Sequence, residues 1–168
     1  MTAAQTTPIW DFVLGYYRQP GVSEAAIALQ DTLGIDVNMI LFLMWLAGRK
    51  KTLPRAEVQR VSDTSHGWQR QVVVPIRGVR RLLKENAPLV EAEAAQAYRK
   101  KVQALELEGE QLQLAAMAAL WGAAAADAPS AEQAARDNIA AFAAVVGKPF
   151  PPGAVETFVR ALKGAVGE

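Results

Sequence analysis

The sequence predicts an all-α fold, a single irregular bundle of six to eight helices with one long helix. Three observations predict it. Alanine is abundant and β-branched runs are scarce, which favours helix over strand. Glycine and proline are concentrated between the apolar-periodic segments, where helices begin and end. The longest apolar run covers only residues 39–47, whereas a membrane span needs roughly twenty residues, so we expect this run at the centre of the fold.

Length and composition limit what the chain can be. Its 168 residues fit one domain, residues 1–168. It has no cysteine and a single histidine, His66, which excludes thiolate chemistry and multi-histidine metal sites. We therefore expect no metal, no cofactor and no catalytic set. Residues 1–8 lack the basic and apolar regions of a signal peptide, and we expect a cytoplasmic protein without a transmembrane segment.

The first fifty residues predict three helices. Thr7 and Pro8 are typical of an N-cap and a first helical residue. Ser23 is the expected N-cap of the second helix, which Gly34 ends in the left-handed conformation. Asp36 caps the third helix, which runs from residue 37 to about residue 47.

The middle of the chain predicts two further helical segments. Thr52 and Pro54 open the first, which we expect to weaken over residues 62–67, so that His66 lies in a loop. A helical pattern resumes at Trp68. Pro75 lies inside that pattern, and we expect it to kink or break the helix.

The longest predicted helix follows residues 86–88 and extends to about residue 126. Its apolar residues recur every three or four positions, as in a coiled-coil seam: Tyr98, Val102, Leu105, Gly109, Leu112, Ala116 and Leu120. Gly109 either permits a close helix crossing or marks a bend, and the bend is the simpler interpretation. Ser130 to Gln133 has capping-box spacing, and a last helix runs from about Pro152 to Ala165.

Charge is distributed unevenly along the chain. Residues 49–84 carry ten lysines and arginines against two acids, whereas the segments on either side are acidic. Four basic residues recur at helical spacing on one face, with Arg80 beside it: Arg70, Arg77, Arg81 and Lys84. This face predicts binding of an anionic ligand or partner. Alternatively, it pairs with the long helix through Glu91, Glu93 or Glu106.

A second candidate site is a polar cluster beside the most apolar segment, formed by Gln30, Asp31, Asp36 and Asn38. Buried polar groups must find partners, so the cluster predicts a small pocket that orients a ligand or holds a cation. The alternative is structural: Asp36 caps a helix, Asp31 lies in the turn, and the two amides tie the connection together. The four tryptophans are expected core anchors rather than a cofactor site.

The N-terminal half also carries a recognisable pattern. It contains Trp10-x-Phe12, Tyr17-x-x-Pro20-Gly21-Val22, Leu29-Gln30-Asp31-x-x-Gly34-x-Asp36-Val37-Asn38 and Leu41-Phe42-x-x-Trp45-Leu46, followed by the basic stretch 74–84. This pattern resembles a family of uncharacterised proteobacterial proteins, known only as a domain of unknown function. The resemblance covers roughly residues 10–85 and implies no activity, cofactor or catalytic residue.

Three functions are consistent with the sequence. The first is a non-enzymatic interaction or adaptor module that uses the basic helix face or the long-helix seam, with an unknown protein partner or by self-association. The second is a helical pocket that binds or converts a small anionic or apolar ligand. The third is attachment to anionic membrane surfaces. Nucleic acid is disfavoured because the net charge is only +1 and no nucleic-acid motif is present.

Overall fold

A computed structural model of the chain describes residues 8–85 and 89–166 and confirms the all-α class. The described residues form eight α-helices and one short antiparallel ribbon. The elements are α1 (Pro8–Tyr17), α2 (Val22–Leu33), α3 (Val37–Gly48), β1 (Lys51–Thr52), α4 (Arg55–Trp68), a π-turn (Gln69–Val73), α5 (Val74–Glu85), α6 (Ala92–Trp121), a 3₁₀ turn (Gly122–Ala124), β2 (Ala126–Asp127), α7 (Ala131–Val146) and α8 (Pro152–Val166). The predicted cap Thr7 and the predicted helix start at residues 86–88 lie outside the described residues.

Helix α3 is the centre of the bundle, as its apolar run predicts. Nine of its twelve residues are buried, and it packs against α1, α6, α7 and α8. Asp36 is confirmed as its N-cap, because its Oδ1 accepts a hydrogen bond of 3.0 Å from the Asn38 backbone N–H. That cap fixes the start of α3 beside the end of α2.

Helix α2 begins and ends at glycines. Its N-cap is Gly21, at φ 84°, which reverses the chain after Pro20. The prediction of Ser23 as the cap was wrong: Ser23 lies in the first turn, where its hydroxyl donates to Glu24. Gly34 ends the helix at φ 68° and donates its N–H to the Gln30 carbonyl over 2.9 Å, as predicted.

Helices α4 and α5 form one continuous rod through the π-turn. The predictions of a weakened helix at 62–67 and of a loop around His66 were wrong, because α4 is held in place by buried Val61 and Ser65. Pro75 has no N–H to give to the carbonyl four residues earlier. The chain adjusts just before it, where Val74 N–H donates to the carbonyl of Gln69, five residues back.

The β-ribbon was not predicted. Lys51 pairs with Asp127 and Thr52 with Ala126, so Thr52 lies in β1, and α4 begins at Arg55 after Pro54. The fully buried Asn138 of α7 holds β1 by accepting from Leu53 N–H and donating to the Lys51 carbonyl.

Helices α5 and α6 pack against each other as an antiparallel pair. The residues of the predicted α6 seam are not all on one buried face of the helix. Val102 and Gly109 are buried, whereas Tyr98, Leu105, Leu112 and Leu120 are exposed. The buried face of α6 also contains Glu106 and Gln113, two polar residues that the apolar pattern did not include.

The C-terminal helices close the bundle. Ser130 caps α7 by accepting from Gln133 N–H over 3.1 Å, as predicted, although the Gln133 side chain bonds Asp137 rather than returning to the cap. The buried Tyr16 hydroxyl donates to the Phe158 carbonyl over 2.9 Å, which joins α1 to α8. Among the described helices, none has the length and apolar content to cross a membrane.

Candidate functional site

The predicted polar residues and arginines meet at a cavity where α1, α2, α3, α5 and α6 converge. It has a volume of about 410 Å³. Trp10, Val13 and Leu41 line its apolar side. Its polar side is lined by Gln30, Asp31, Asp36, Asn38, Arg77, Arg80, Arg81, Glu106 and Glu110. We call this space the apolar cavity.

A second space of about 470 Å³ adjoins the first, and we call it the basic recess. The two spaces share Gln30, Asp31, Asp36, Arg77 and Arg81 as lining residues. The recess adds His66, Gln69 and Arg70. The candidate site is therefore one continuous region with an apolar end and a basic end.

An ion-pair network forms the wall between the helices. Arg77 Nε donates to Glu106 over 2.7 Å, and its Nη2 donates to Glu110 over 2.7 Å. Its Nη1 donates to Gln30 over 3.3 Å, and Arg80 donates both Nε and Nη2 to Glu106. The Glu106 side chain is only 7% exposed, so this network fixes α5 against α6 and α2.

The network changes the acidity of its members. Burial opposes ionisation of Glu106, but hydrogen bonds from Arg80 and Arg77 prevail and lower its pKa below the ordinary value. Burial also disfavours the charged form of Arg77. The hydrogen bonds and charges of Glu106 and Glu110 outweigh burial, so the pKa of Arg77 is raised. Both ends of the Arg77–Glu106 pair are therefore held in their charged forms.

The other two buried acids behave differently. Burial raises the pKa of Asp36 and the pKa of Glu110 above their ordinary values. Hydrogen bonds from Asn38 and Gln113 oppose the shift at Asp36, and Arg77 opposes the shift at Glu110. At these two acids burial outweighs the hydrogen bonds and charges that favour ionisation, in contrast to Glu106.

A directional chain of hydrogen bonds lies behind the site. Asn38 Nδ2 donates to Gln113 Oε1 over 2.8 Å, and Gln113 Nε2 donates to Asp36 Oδ2 over 2.5 Å. Asp36 already accepts the α3 cap bond, so both its oxygens are used. Asp36 and Asn38 therefore have structural roles, as the alternative interpretation predicts, and line the cavity as well.

The mouth of the apolar cavity is lined by exposed apolar side chains from three helices. Leu14 of α1 is 37% exposed, Ile27 of α2 is 47% exposed and Leu107 of α6 is 49% exposed. Large apolar residues that converge on a concave surface are typical of a binding site.

Several polar groups around the site have no partner within the described part of the chain. Arg18 lines the apolar cavity, Arg70 lines the basic recess and Arg81 lines both, and none of these three forms an ion pair with a described residue. The buried Gln69 Oε1 accepts no hydrogen bond from any described residue. The three arginines are exposed and therefore available to a ligand.

The sequence located most of this site but not all of it. Every predicted site residue except Lys84 lines one of the two spaces. The expectation that Asp31 lies in a turn was wrong, because it belongs to the last turn of α2. Of the three glutamates expected to pair with the basic face, Glu106 pairs with Arg77 and Arg80. Glu110 and Gln113 were missed because nothing distinguishes them from the other polar residues of α6.

The π-turn displaces Arg70 from the regular helix face that its spacing predicts. Arg70 lies in the π-turn, whereas Arg77, Arg81 and Lys84 lie in α5. No group of three His, Asp or Glu side chains that could hold a metal ion occurs within residues 8–85 and 89–166.

Comparison with known proteins gives one match. The model of a family described as protein of unknown function (DUF2390) matches residues 8–117, which include α1 to α5 and most of α6. No curated protein and no solved structure matches the chain.

Proposed function

The chain belongs to the DUF2390 family, and we propose that it binds a small amphipathic anion in the joined apolar cavity and basic recess. The apolar body of the ligand lies between Leu14, Ile27 and Leu107. Its anionic group lies toward Arg70 and Arg81. The proposal concerns binding; no side chain is assigned a role in catalysis.

One observation carries this proposal: exposed apolar residues of α1, α2 and α6 surround a cavity that continues into a recess containing Arg70 and Arg81, which form no ion pair with any described residue. An isolated exposed leucine is ordinary on a protein surface. Three exposed apolar side chains that converge from separate helices, beside guanidinium groups that have no partner among the described residues, favour a ligand with both apolar and anionic parts.

The charges support an anion rather than a cation. Arg77 and Arg80 are neutralised by Glu106 and Glu110, so they act mainly as scaffold. The lining of the two spaces together contains five arginines and four acids, Asp31, Asp36, Glu106 and Glu110, which leaves one net positive charge.

Titration with anilinonaphthalene sulfonate tests the proposal, because this probe joins an apolar ring system to a sulfonate that stays ionised. We expect saturable binding of one molecule per chain, measured by fluorescence and calorimetry. Replacing both Arg70 and Arg81 with alanine should weaken binding about tenfold, as expected for loss of charge-assisted hydrogen bonds.

Two matched variants serve as controls. Lys84→Ala removes a cation from the same basic stretch but from neither space, and Leu112→Asp alters exposed apolar surface away from the site. Both should bind the probe as the wild type does. Absence of saturable binding, or equal weakening by Lys84→Ala, would contradict the proposal.

The second candidate function is still an interaction module, but with fewer contact residues on the basic face than the sequence predicts. Arg77 is only 17% exposed and is committed to internal pairs, so a partner that binds the basic face would contact Arg70, Arg81 and Lys84, which are exposed. A salt-sensitive partner lost on reversing the charge of Arg81 and Lys84 together would support this function. The cytoplasmic location stays a prediction from the sequence.

A further inference from the structure

Helix α6 presents a line of exposed apolar residues on a side away from the proposed ligand site. Tyr98, Leu105 and Leu112 are spaced by seven residues, and Leu120 follows eight residues later. These four side chains are between 54% and 65% exposed, and we call them the α6 stripe. Apolar residues that recur every seven positions lie along one side of a helix and are typical of helix–helix contacts.

The stripe borders a shallow apolar groove rather than an isolated ridge. Leu112 and Leu120 line a groove of about 190 Å³ together with Trp68 of α4 and Trp121 at the end of α6. Trp68 is itself 39% exposed. The unpartnered surface therefore extends from α6 toward α4 and has the concave shape that receives another helix.

Two charged residues on the same side of α6 indicate what the partner is. Lys101 and Glu108 are exposed, lie seven residues apart and alternate with the stripe residues. Neither forms an ion pair with a described residue. A second α6 laid antiparallel about a two-fold axis between positions 104 and 105 places each Lys101 opposite Glu108 of the partner subunit.

From this charge register we infer that the α6 stripe is a self-association surface, on which a second copy of this chain packs with its α6 antiparallel. Two identical ion pairs then flank the central Leu105 residues. A parallel arrangement in register would set lysine against lysine and glutamate against glutamate, which is repulsive. Because the axis is two-fold, Lys101 and Glu108 of each copy both gain a partner of opposite charge.

The same register matches the ends of the helix. Position 120 falls opposite position 89 of the second copy, and Leu89 is 96% exposed while Val90 is 52% exposed. Tyr98 falls near the Leu112 end of the second stripe. Leu89 and Val90 precede α6, which begins at Ala92, so they lie near the end of the contact that the partner's Leu120 reaches.

The surface is large enough for a specific dimer. The 30 residues of α6 make a helix about 45 Å long. Together with its neighbouring helix it presents a face about 20 Å wide. Contact over most of this face would bury roughly the 800 Å² per partner that specific complexes need.

A charge-swap series tests the inference in the full-length chain by sedimentation velocity and native mass spectrometry over a concentration series. We expect a concentration-dependent dimer. Lys101→Glu and Glu108→Lys should each weaken it about tenfold, because each variant creates two like-charge contacts. The double variant with both substitutions should restore dimerisation, since the opposite charges face each other again.

Apolar variants and crosslinking provide the controls. Leu105→Glu should abolish the dimer, whereas Leu107→Glu, two residues along the same helix on the opposite side, should leave it intact. The chain has no cysteine, so Leu105→Cys should form a disulfide across the two-fold axis and Leu120→Cys should not. A monomer at all concentrations, or a dimer that the Lys101 and Leu105 variants leave unchanged, would overturn the inference.

Discussion

At the scale of single residues, Glu106 joins α6 to α5 through one carboxylate, and its partner Arg77 extends the connection to α2. It accepts from Arg77 and Arg80, and Arg77 in turn reaches Glu110 and Gln30. Losing the Glu106 charge would leave two partly buried guanidinium groups without their main partner. The cost of such a loss is the desolvation of the remaining charges as well as the lost attraction.

We therefore predict that Glu106→Gln lowers the free energy of unfolding by about 3 kcal/mol at neutral pH. The control Glu85→Gln, at an exposed position of α5, should change it by less than about 0.5 kcal/mol. Urea unfolding followed by tryptophan fluorescence measures both. Equal effects of the two substitutions would show that the Glu106 network contributes no specific stability.

The same variant has a defined pH dependence. The folded pKa of Glu106 is below its unfolded value, so its stabilisation is complete above the ordinary glutamate pKa and is lost as pH falls through the folded pKa. The difference in stability between wild type and Glu106→Gln should therefore stay constant from about pH 7 to about pH 5 and shrink as the pH falls further. A difference that grows on acidification would contradict the assigned direction of the pKa shift.

The sequence predicted the structural role of a residue best where that role depends on its neighbours along the chain. Asp36 stands before an apolar run and Gly34 follows the end of another, and the structure confirms both as helix caps. The prediction of Ser23 as a cap was wrong because the N-cap of α2 is Gly21, which lies two residues earlier in the left-handed conformation. Pairings across the fold, such as Asn38 with Gln113, depend on tertiary contacts that residue spacing does not encode.

At the scale of elements, α6 passes close to the π-turn at Gly109. The Trp68 indole N–H donates to the Gly109 carbonyl over 2.9 Å. A Cβ added at position 109 would lie 3.7 Å from Val73 Cγ2, which is ordinary van der Waals contact. Helix α6 continues through this residue to Trp121, and the space beside it accepts a methyl group, so neither the close crossing nor the bend requires a glycine at this position.

This geometry predicts that Gly109→Ala stabilises the protein by about 0.5–1 kcal/mol, because alanine restricts the unfolded chain and fits the available space. Gly109→Leu should destabilise it by about 1–3 kcal/mol through overpacking against Val73. Thermal and urea unfolding measure both variants. Destabilisation by alanine would mean that the two helices approach more closely at this point than the described contacts indicate.

Helix boundaries could be predicted where capping residues mark them. They could not be predicted where the burial of a side chain outweighs the local preference of its neighbours for a break. Residues 62–67 contain serine, threonine and glycine, which favour a break, yet they continue α4 because Val61 and Ser65 are buried. Pro75 was recognised as a disturbance, but the sequence alone did not show that the chain would accommodate it with a π-turn rather than a kink or a break. The two-residue strands were missed because their pairing joins segments about 75 residues apart.

At the scale of the whole molecule, the proposed site depends on bringing two separate stretches of sequence together. The polar cluster and the basic stretch were each identified from the sequence. Their meeting at one cavity follows from α5 and α2 both packing around the Arg77 network. The apolar mouth could not be predicted. Leu14, Ile27 and Leu107 do not differ in sequence from other apolar helix residues, and only the packing of three helices brings them together.

A crystal structure of the protein grown with anilinonaphthalene sulfonate tests the account most directly. We predict that the ring system occupies the apolar cavity between Leu14, Ile27 and Leu107, with the sulfonate within hydrogen-bond distance of Arg70 or Arg81. A cavity filled by rearranged side chains, or a probe bound only in the groove beside Trp68 and Leu120, would contradict it.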